Sequence, residues 1–377
     1  MDEATRDQYS TFPTLYLAHE LSNEKWRLGF TVGLGQPARE RVIAAGDLSA
    51  LEREIGLAKR RFGLPEGVRV LSCYEAGREG FWLHRYLTAR GVENLVVDSA
   101  SIEVNRRARR AKTDHLDVGK LLTMLIRFDL GEEKVWSVVQ VPSVEAEDRR
   151  HLHRQLLTLK ADRTRHINRI KGLLAGQGIR VAVKGDFLQR LDGLRLWDGS
   201  PLPGGLRHRV EQEYAALRFV EGQIRALEAR RREMIRRSDD PAVEKVRRLL
   251  RLRGIGENSA WLFVMEFFGW REFRNRREVG GLSGLTPTPY RSGEGEREQG
   301  ISKAGNRPIR AMAIEIAWCW LRFQPESELS RWYRERFGGG SKRLRKIGIV
   351  ALARKLLVAL WRYVEYGEIP AGAQLKA

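Results

Sequence analysis

Two cysteines in 377 residues, Cys73 and Cys319, are too few for a disulfide framework and give no metal-ligand spacing, which suits a reducing cytosol. Long apolar runs are also missing. The most apolar stretch near the C-terminus, "IGIVALARKLLVALW", is broken by Arg354 and Lys355 and is too short to span a bilayer. The opening "MDEATRDQ" is acidic and polar, so no secretory signal is expected. Negative charge is in deficit as well: 48 Asp and Glu face 68 Lys and Arg, a net charge of +20. Such an excess attracts phosphate polymers or acidic membranes and says nothing about fold. With no membrane segment in view, nucleic acid is the favoured polyanion, and a cytoplasmic, nucleoid-associated protein is expected. What is present is enough apolar material, 42% of residues, for two or three domains with cores of their own.

The first part of the chain reads as α/β. "LYLAHELS", "WRLGFTVGLG" and "ERVIAAG" predict a meander of three strands. "LSALEREIGLAKRRFG" has helical spacing, "VRVLSCYEAG" returns to strand, and "REGFWLHRYLTARG" is a second helix. "NLVVD" is a buried strand, and "TDHLDVGKLLTMLIRF" is a third helix that Thr113 can cap. Three antiparallel strands followed by alternating helix and strand is the order of a ribonuclease H-like fold. From about 146 to 240 the character changes. Leu152, Leu156, Leu159, Ile167, Ile170 and Leu174, and then Val210, Tyr214, Leu217, Ile224, Leu227 and Met234, lie near heptad spacing on a charged background. They predict a long helical coiled-coil arm, an antiparallel hairpin or a pair of arms that join another chain, with an ordinary intramolecular helical bundle as the equal alternative. After 240 a mainly helical domain is expected. In it "VRRLLRLRGIGENSAWLFVMEF" matches a helix-hairpin-helix, whose Gly254 and Gly256 either bring backbone N–H groups to a DNA phosphate or make a plain turn between helices. The long glycine- and proline-rich stretch "GGLSGLTPTPYRSGEGEREQG" reads as a loop. The expected domains are thus 1–145, 146–240 and 241–377.

Two groups of residues carry chemistry. In "RRARRAKTDHLDVGK" the carboxylates of Asp114 and Asp117 follow the densest positive run, Arg106, Arg107, Arg109, Arg110 and Lys112. Spaced i and i+3, they fall on one face of a helix, over its first turn, where capping and the helix dipole alone can explain them. Glu75, ending "VLSCYE", and Glu20, near the end of "LYLAHE", add two more acids at predicted strand ends. In a ribonuclease H-like sheet these ends are neighbours, and four converging carboxylates call for a hard cation such as Mg²⁺, with Mn²⁺ as a substitute. Two such ions can hold the attacking and leaving oxygens of a phosphodiester. Asp98 is the alternative to Glu20, unless it only caps the turn before Ser99. The second group is Ser292, between Arg291 and Gly293, with Arg297, Lys303, Arg307 and Arg310 close behind. Guanidinium groups and flexible glycines suit phosphate contacts, so this segment either grips phosphate or carries an activated hydroxyl. Trp82, Trp261, Trp270 and Tyr290 can stack on bases, though packing is the commoner use of such rings.

"CYEAGREGFWLHRYL", "RRARRAKTDHLDVGKLL" and "GLTPTPYRSGEGEREQGISKAGNRPIR" resemble the signatures of insertion-sequence transposases of the DEDD type, the group that includes the Piv-type invertases. The resemblance covers most of the chain. It implies a RuvC-like N-terminal domain with Glu20, Glu75, Asp114 and Asp117 as metal ligands, Glu20 standing where the family usually has aspartate. It also implies a C-terminal domain whose serine, Ser292 or as a fallback Ser302, attacks the scissile phosphate. The partners implied are double-stranded DNA at the element ends and target, a structured guide RNA, and further copies of the chain in a dimer or tetramer. The helical arms leave open that the acids of one subunit serve the serine of another, since Asp117 and Ser292 are about 175 residues apart. Two other classes stay open. One is a Mg²⁺-dependent nuclease or junction resolvase in which Ser292 only grips phosphate; the other is a non-catalytic nucleic-acid-binding protein.

Overall fold

Strand alternation organises the first third of the chain. In the computed structural model, which describes residues 13–77, 80–102, 114–292 and 295–376, the predicted meander forms as β1 (Thr14–Leu21), β2 (Lys25–Thr31) and β3 (Arg39–Ala44), each antiparallel to the last. The first helix, α1 (Leu48–Arg61), starts where the Asp47 carboxylate accepts from the Ala50 N–H. It ends on Lys59, Arg60 and Arg61, where positive charge suits the helix dipole. Then come β4 (Arg69–Glu75), α2 (Trp82–Ala89), β5 (Glu93–Val97) and α3 (Asp114–Asp129). The sheet order is β3-β2-β1-β4-β5, with β4 parallel to β1 and β5 parallel to β4.

The two faces of this sheet bury different side chains, as a period of two requires. Leu15, Leu17, Val70, Tyr74 and Val96 enter the core shared with Leu51, Leu83 and Leu87 of α1 and α2. Tyr16, Ala18, Leu71, Cys73 and Val97 enter the core shared with Val118, Leu121, Leu122 and Leu125 of α3. The seat of α3 is set by Gly29 on β2: a Cβ there would lie 2.3 Å from Val118 Cγ1 and 2.9 Å from Leu122 Cδ1. Gly29→Ala therefore pushes α3 off the sheet, and urea unfolding should read a loss of about 1–3 kcal/mol from overpacking.

The chain divides into two compact units, 1–141 and 142–377. The expected arm and C-terminal segment share the second unit, because Leu152 of the first arm helix is part of the same core as the C-terminal helices. The arm is an intramolecular antiparallel pair, α4 (Val144–Ala175) and α6 (Gly204–Arg237), with the short α5 (Phe187–Leu191) between them. Leu156 and Leu159 meet Val220 and Ile224, and Ile170 and Leu174 meet Leu206 and Val210. At 32 and 34 residues these helices are about 50 Å long at 1.5 Å per residue. The remaining helices are α7 (Pro241–Leu250), α8 (Glu257–Phe263), α9 (Arg276–Ser283), α10 (Arg307–Phe323), α11 (Glu328–Tyr333) and α12 (Lys342–Tyr366). Trp261, Phe263, Phe267, Phe268, Trp320 and Leu352 are buried at their centre. The stretch expected as a loop is instead the end of α9 followed by a hairpin of β6 (Pro287–Ser292) and β7 (Gly295–Ile301). No helix among the described residues is long and apolar enough to cross a membrane.

Candidate functional site

Glu20 and Glu75 come together by register. The parallel pairing of β1 with β4 runs from Thr14 opposite Arg69 to His19 opposite Tyr74, so the next step sets Glu20 level with Glu75. Both continue the side of the sheet occupied by Tyr16 and Ala18 on β1 and by Leu71 and Cys73 on β4, which is the α3 side. Asp98 follows Val97 of β5, a residue on that same side, so alternation turns Asp98 to the opposite face. Its backbone N–H donates to Ser137 O, and its carbonyl accepts from Ser101 N–H and Oγ–H.

The direction of α3 determines which end of the sheet its first turn covers. Asp129, its last residue, accepts from Tyr16 Oη at 2.7 Å and from Arg69 Nη1 at 2.9 and 3.0 Å. Tyr16 and Arg69 stand near the starts of β1 and β4, so α3 runs antiparallel to both strands. Val118 lies over Gly29, which pairs with Ala18. From there the helix extends back about 6 Å to Asp114, and β1 extends on about 7 Å to Glu20. The backbone of Asp114 and Asp117 thus starts at the sheet end where Glu20 and Glu75 lie. The side chains of Asp114 and Asp117 are outside the described residues, as are Arg106, Arg107, Arg109, Arg110, Lys112 and Thr113 altogether. An all-oxygen donor set of this kind fits a hard divalent cation. Among the described residues, to which the two aspartate side chains do not belong, no three His, Cys, Asp or Glu gather closely enough to hold one.

In the second unit Ser292 is paired with Gly295 and closes the β6–β7 hairpin at its tip. The side chains of Ser292, Arg291, Arg297 and Tyr290 are outside the described residues. The hairpin base is held by backbone. Gly284 has φ +68°, and a Cβ there would lie 1.9 Å from Ala304 O; Gly305 has φ +79°, and its Cβ would lie 2.2 Å from Leu282 O. Ser302 N–H donates to Thr286 O and Lys303 N–H to Gly284 O. Arg310, expected to contact nucleic acid, donates from Nη1 to the carbonyls of Ser283 and Ala304 and so clamps the base. Lys303 and Arg307 are exposed.

Sequence reading missed the group that anchors this base from the inside. Glu266, 1% exposed, lies in a π-helical turn, Val264–Phe268, and meets Arg154 of α4 in a fork: Nε to Oε1 at 2.7 Å, Nη2 to Oε2 at 3.1 Å. The Glu266 hydrogen bond raises the Arg154 pKa. Asn306 Nδ2 donates to the same carboxylate at 3.3 Å, while its Oδ1 accepts from the Ile309 N–H and caps α10. His153, beside Arg154, is buried, and desolvation lowers its pKa to about 4, so it adds no charge at neutral pH. The signal available was one carboxylate in the apolar run "LFVMEFF". Glu266→Ala should cost about 2–3 kcal/mol in urea unfolding, less than the 3–5 kcal/mol of a fully buried pair because Arg154 is half exposed and rehydrates.

The helix-turn-helix at Gly254 and Gly256 forms, and Gly254 has a backbone explanation of its own. Gly254 has φ +86°, and a Cβ there would lie 3.3 Å from Phe323 Cβ; the Gly256 N–H donates to Ser259 Oγ. Lys376 Nζ and Gln324 Nε2 cover the Ile255 and Arg253 carbonyls. Trp261 is fully buried and cannot stack on a base, Trp82 packs on Trp26, and Trp270 is covered by Arg271 at 4.2 Å.

Comparison with known proteins supplies the class. A family profile described as "Transposase IS116/IS110/IS902 family" matches residues 246–331, the segment that contains the hairpin. Over 378 residues the chain is 40% identical to a Sinorhizobium fredii protein described as "Putative transposase y4rJ", covering 96% of this chain and 94% of that one. It is 27% identical over 227 residues to a "Probable family 20 transposase" of Pseudomonas aeruginosa, covering 59% and 65%. It is 25% identical over 221 residues to the "Transposase for insertion sequence element IS1328" of Yersinia enterocolitica, covering 58% and 63%. These relatives are transposases by description. The chain belongs to the IS116/IS110/IS902 transposase family.

Proposed function

We propose that this protein is a DNA transposase or site-specific recombinase that cuts and rejoins DNA with a ribonuclease H-like carboxylate site and a serine nucleophile. The observation that carries the reading is the antiparallel run of α3 against β1 and β4, which starts the Asp114–Asp117 turn at the sheet end that bears Glu20 and Glu75. Glu20, Glu75, Asp114 and Asp117 would hold Mg²⁺, which when bound supplies Lewis-acid stabilisation of phosphate charge. The chain's own work is positioning. The hairpin presents Ser292 to a phosphodiester held by the basic surface. Ser292 Oγ forms a bond to phosphorus as its hydroxyl proton passes to solvent or base, the scissile P–O bond breaks, and the leaving strand oxygen takes up a proton to become a free hydroxyl. A phosphoserine ester conserves the phosphodiester energy, so strands rejoin without ATP.

The two groups lie in separate compact units. We further propose that the assembly is a dimer or tetramer in which one subunit's acids serve another's serine, that a structured RNA guides the choice of DNA, and that the protein works in the cytoplasm on the nucleoid. The deciding experiment incubates the full chain with Mg²⁺ and DNA spanning its element ends, with and without co-expressed RNA. A protein-linked strand on a denaturing gel is expected. Free ends with no adduct would instead mark a hydrolytic nuclease, and no cleavage under any condition a binding protein.

A further inference from the structure

The helical arm carries a groove that the catalytic reading leaves unused. It has a volume of about 450 Å³ and is lined by Lys160 and Arg163 of α4 and by Arg218, Glu221, Arg225 and Glu228 of α6, with Ile224 as its floor. Its charges do not balance. Glu228 is engaged by Lys160 at 2.9 Å, and Glu221 by Arg218 at 2.7 Å. That leaves Arg163 and Arg225 with no carboxylate at ion-pair distance among the described residues. Arg163 is the more telling of the two, because its Nε is buried and has no acceptor. An anion seated in the groove would give both guanidinium groups the counter-charge that the arm itself does not supply.

We propose that this groove is a phosphate seat for a nucleic-acid backbone, gripped by Arg163 and Arg225 from the two helices of the arm. Planar guanidinium forks match phosphate oxygens, and the surplus of two positive charges suits a diester bearing one charge per phosphate. Such a seat reads no sequence and accepts either a DNA duplex or a folded RNA. It extends the nucleic-acid footprint along the arm and uses none of the residues assigned to catalysis.

The test measures binding of the full chain in EDTA, where no cleavage occurs, so the catalytic reading can fail without touching this one. Fluorescence anisotropy is run with a DNA duplex and, separately, with an RNA stem-loop over a series of NaCl concentrations. The double variant Arg163→Ala/Arg225→Ala should flatten the plot of log K against log salt by about 1.8 on the duplex, or by somewhat less on RNA, because two phosphates are no longer neutralised. Arg163→Lys/Arg225→Lys should keep most of the slope. Arg225→Glu alone, at an exposed position, should weaken binding without changing the thermal melt. A change confined to one probe identifies whether DNA or RNA occupies the seat. Unchanged slopes on both probes overturn the proposal. So does an equal change from Arg165→Ala, a neighbouring arginine on α4 already paired with Asp162 at 2.6 Å, since any surface charge would then serve.

Discussion

Replacing Asp114 and Asp117 together by asparagine should lower strand cleavage at least about a thousandfold, about 4 kcal/mol of transition-state stabilisation. Asparagine preserves shape and caps helix N-termini well, so α3 keeps its seat over Gly29 and its Asp129 contacts to Tyr16 and Arg69. Only the negative charge is removed. Were the aspartates merely favourable anions at a helix start, the change would cost about 0.3–1 kcal/mol of stability and leave the rate alone. Glu75→Gln should behave like the aspartate variants, because Glu75 ends β4 on the α3 side of the sheet. Asp98→Asn should stay close to the parent rate, since alternation places it on the other face. Single-turnover cleavage of end-labelled DNA in Mg²⁺ reads all three, with DNA binding as the control for folding. A double variant within a fewfold of the parent rate would remove the carboxylate site from the mechanism.

How much of the fold and site is legible in the sequence depends on the range of the interaction. Each strand and helix of the first unit is readable because alternation and i, i+4 spacing are local, and each face of the sheet follows from them. The direction of α3 is not, since it rests on Asp129 reaching Tyr16 and Arg69, contacts separated by 113 and 60 residues. The hairpin reads as a loop because Pro287, Pro289 and several glycines mask the strand pattern. A two-stranded ribbon has a free outer edge, where a proline without an N–H is tolerated. The arm's pairing within one chain does not follow from heptads, which suit a second chain equally well. Glu266 escapes sequence reading for a different reason. A lone acid in an apolar run signals burial but not its partners, and Arg154 and Asn306 are brought to it only by packing α4 and the start of α10 against one π-turn.

Ser292→Ala should abolish the protein-linked strand, while Ser302→Ala leaves it in place. The two serines share a basic, glycine-rich stretch, and the fold separates them. Ser302 belongs to the hairpin base, where its N–H is bonded to Thr286 O, whereas Ser292 is five residues along β6 from Pro287, about 16 Å outward, at the tip. A nucleophile has to reach a phosphate in a duplex, and the tip of a ribbon clamped at Gly284, Gly305 and Arg310 can do so without disturbing the core. Loss of the adduct alone leaves open whose serine meets whose acids. Mixing an Asp117→Ala chain with a Ser292→Ala chain decides it. If each catalytic centre is assembled from two subunits, a mixed oligomer holds one intact pair, and both adduct and recombination return in part. If each subunit is self-sufficient, every chain in the mixture lacks one half of its own centre. The mixture then stays as inactive as either variant by itself, which would sink the shared-site proposal while leaving the serine chemistry standing.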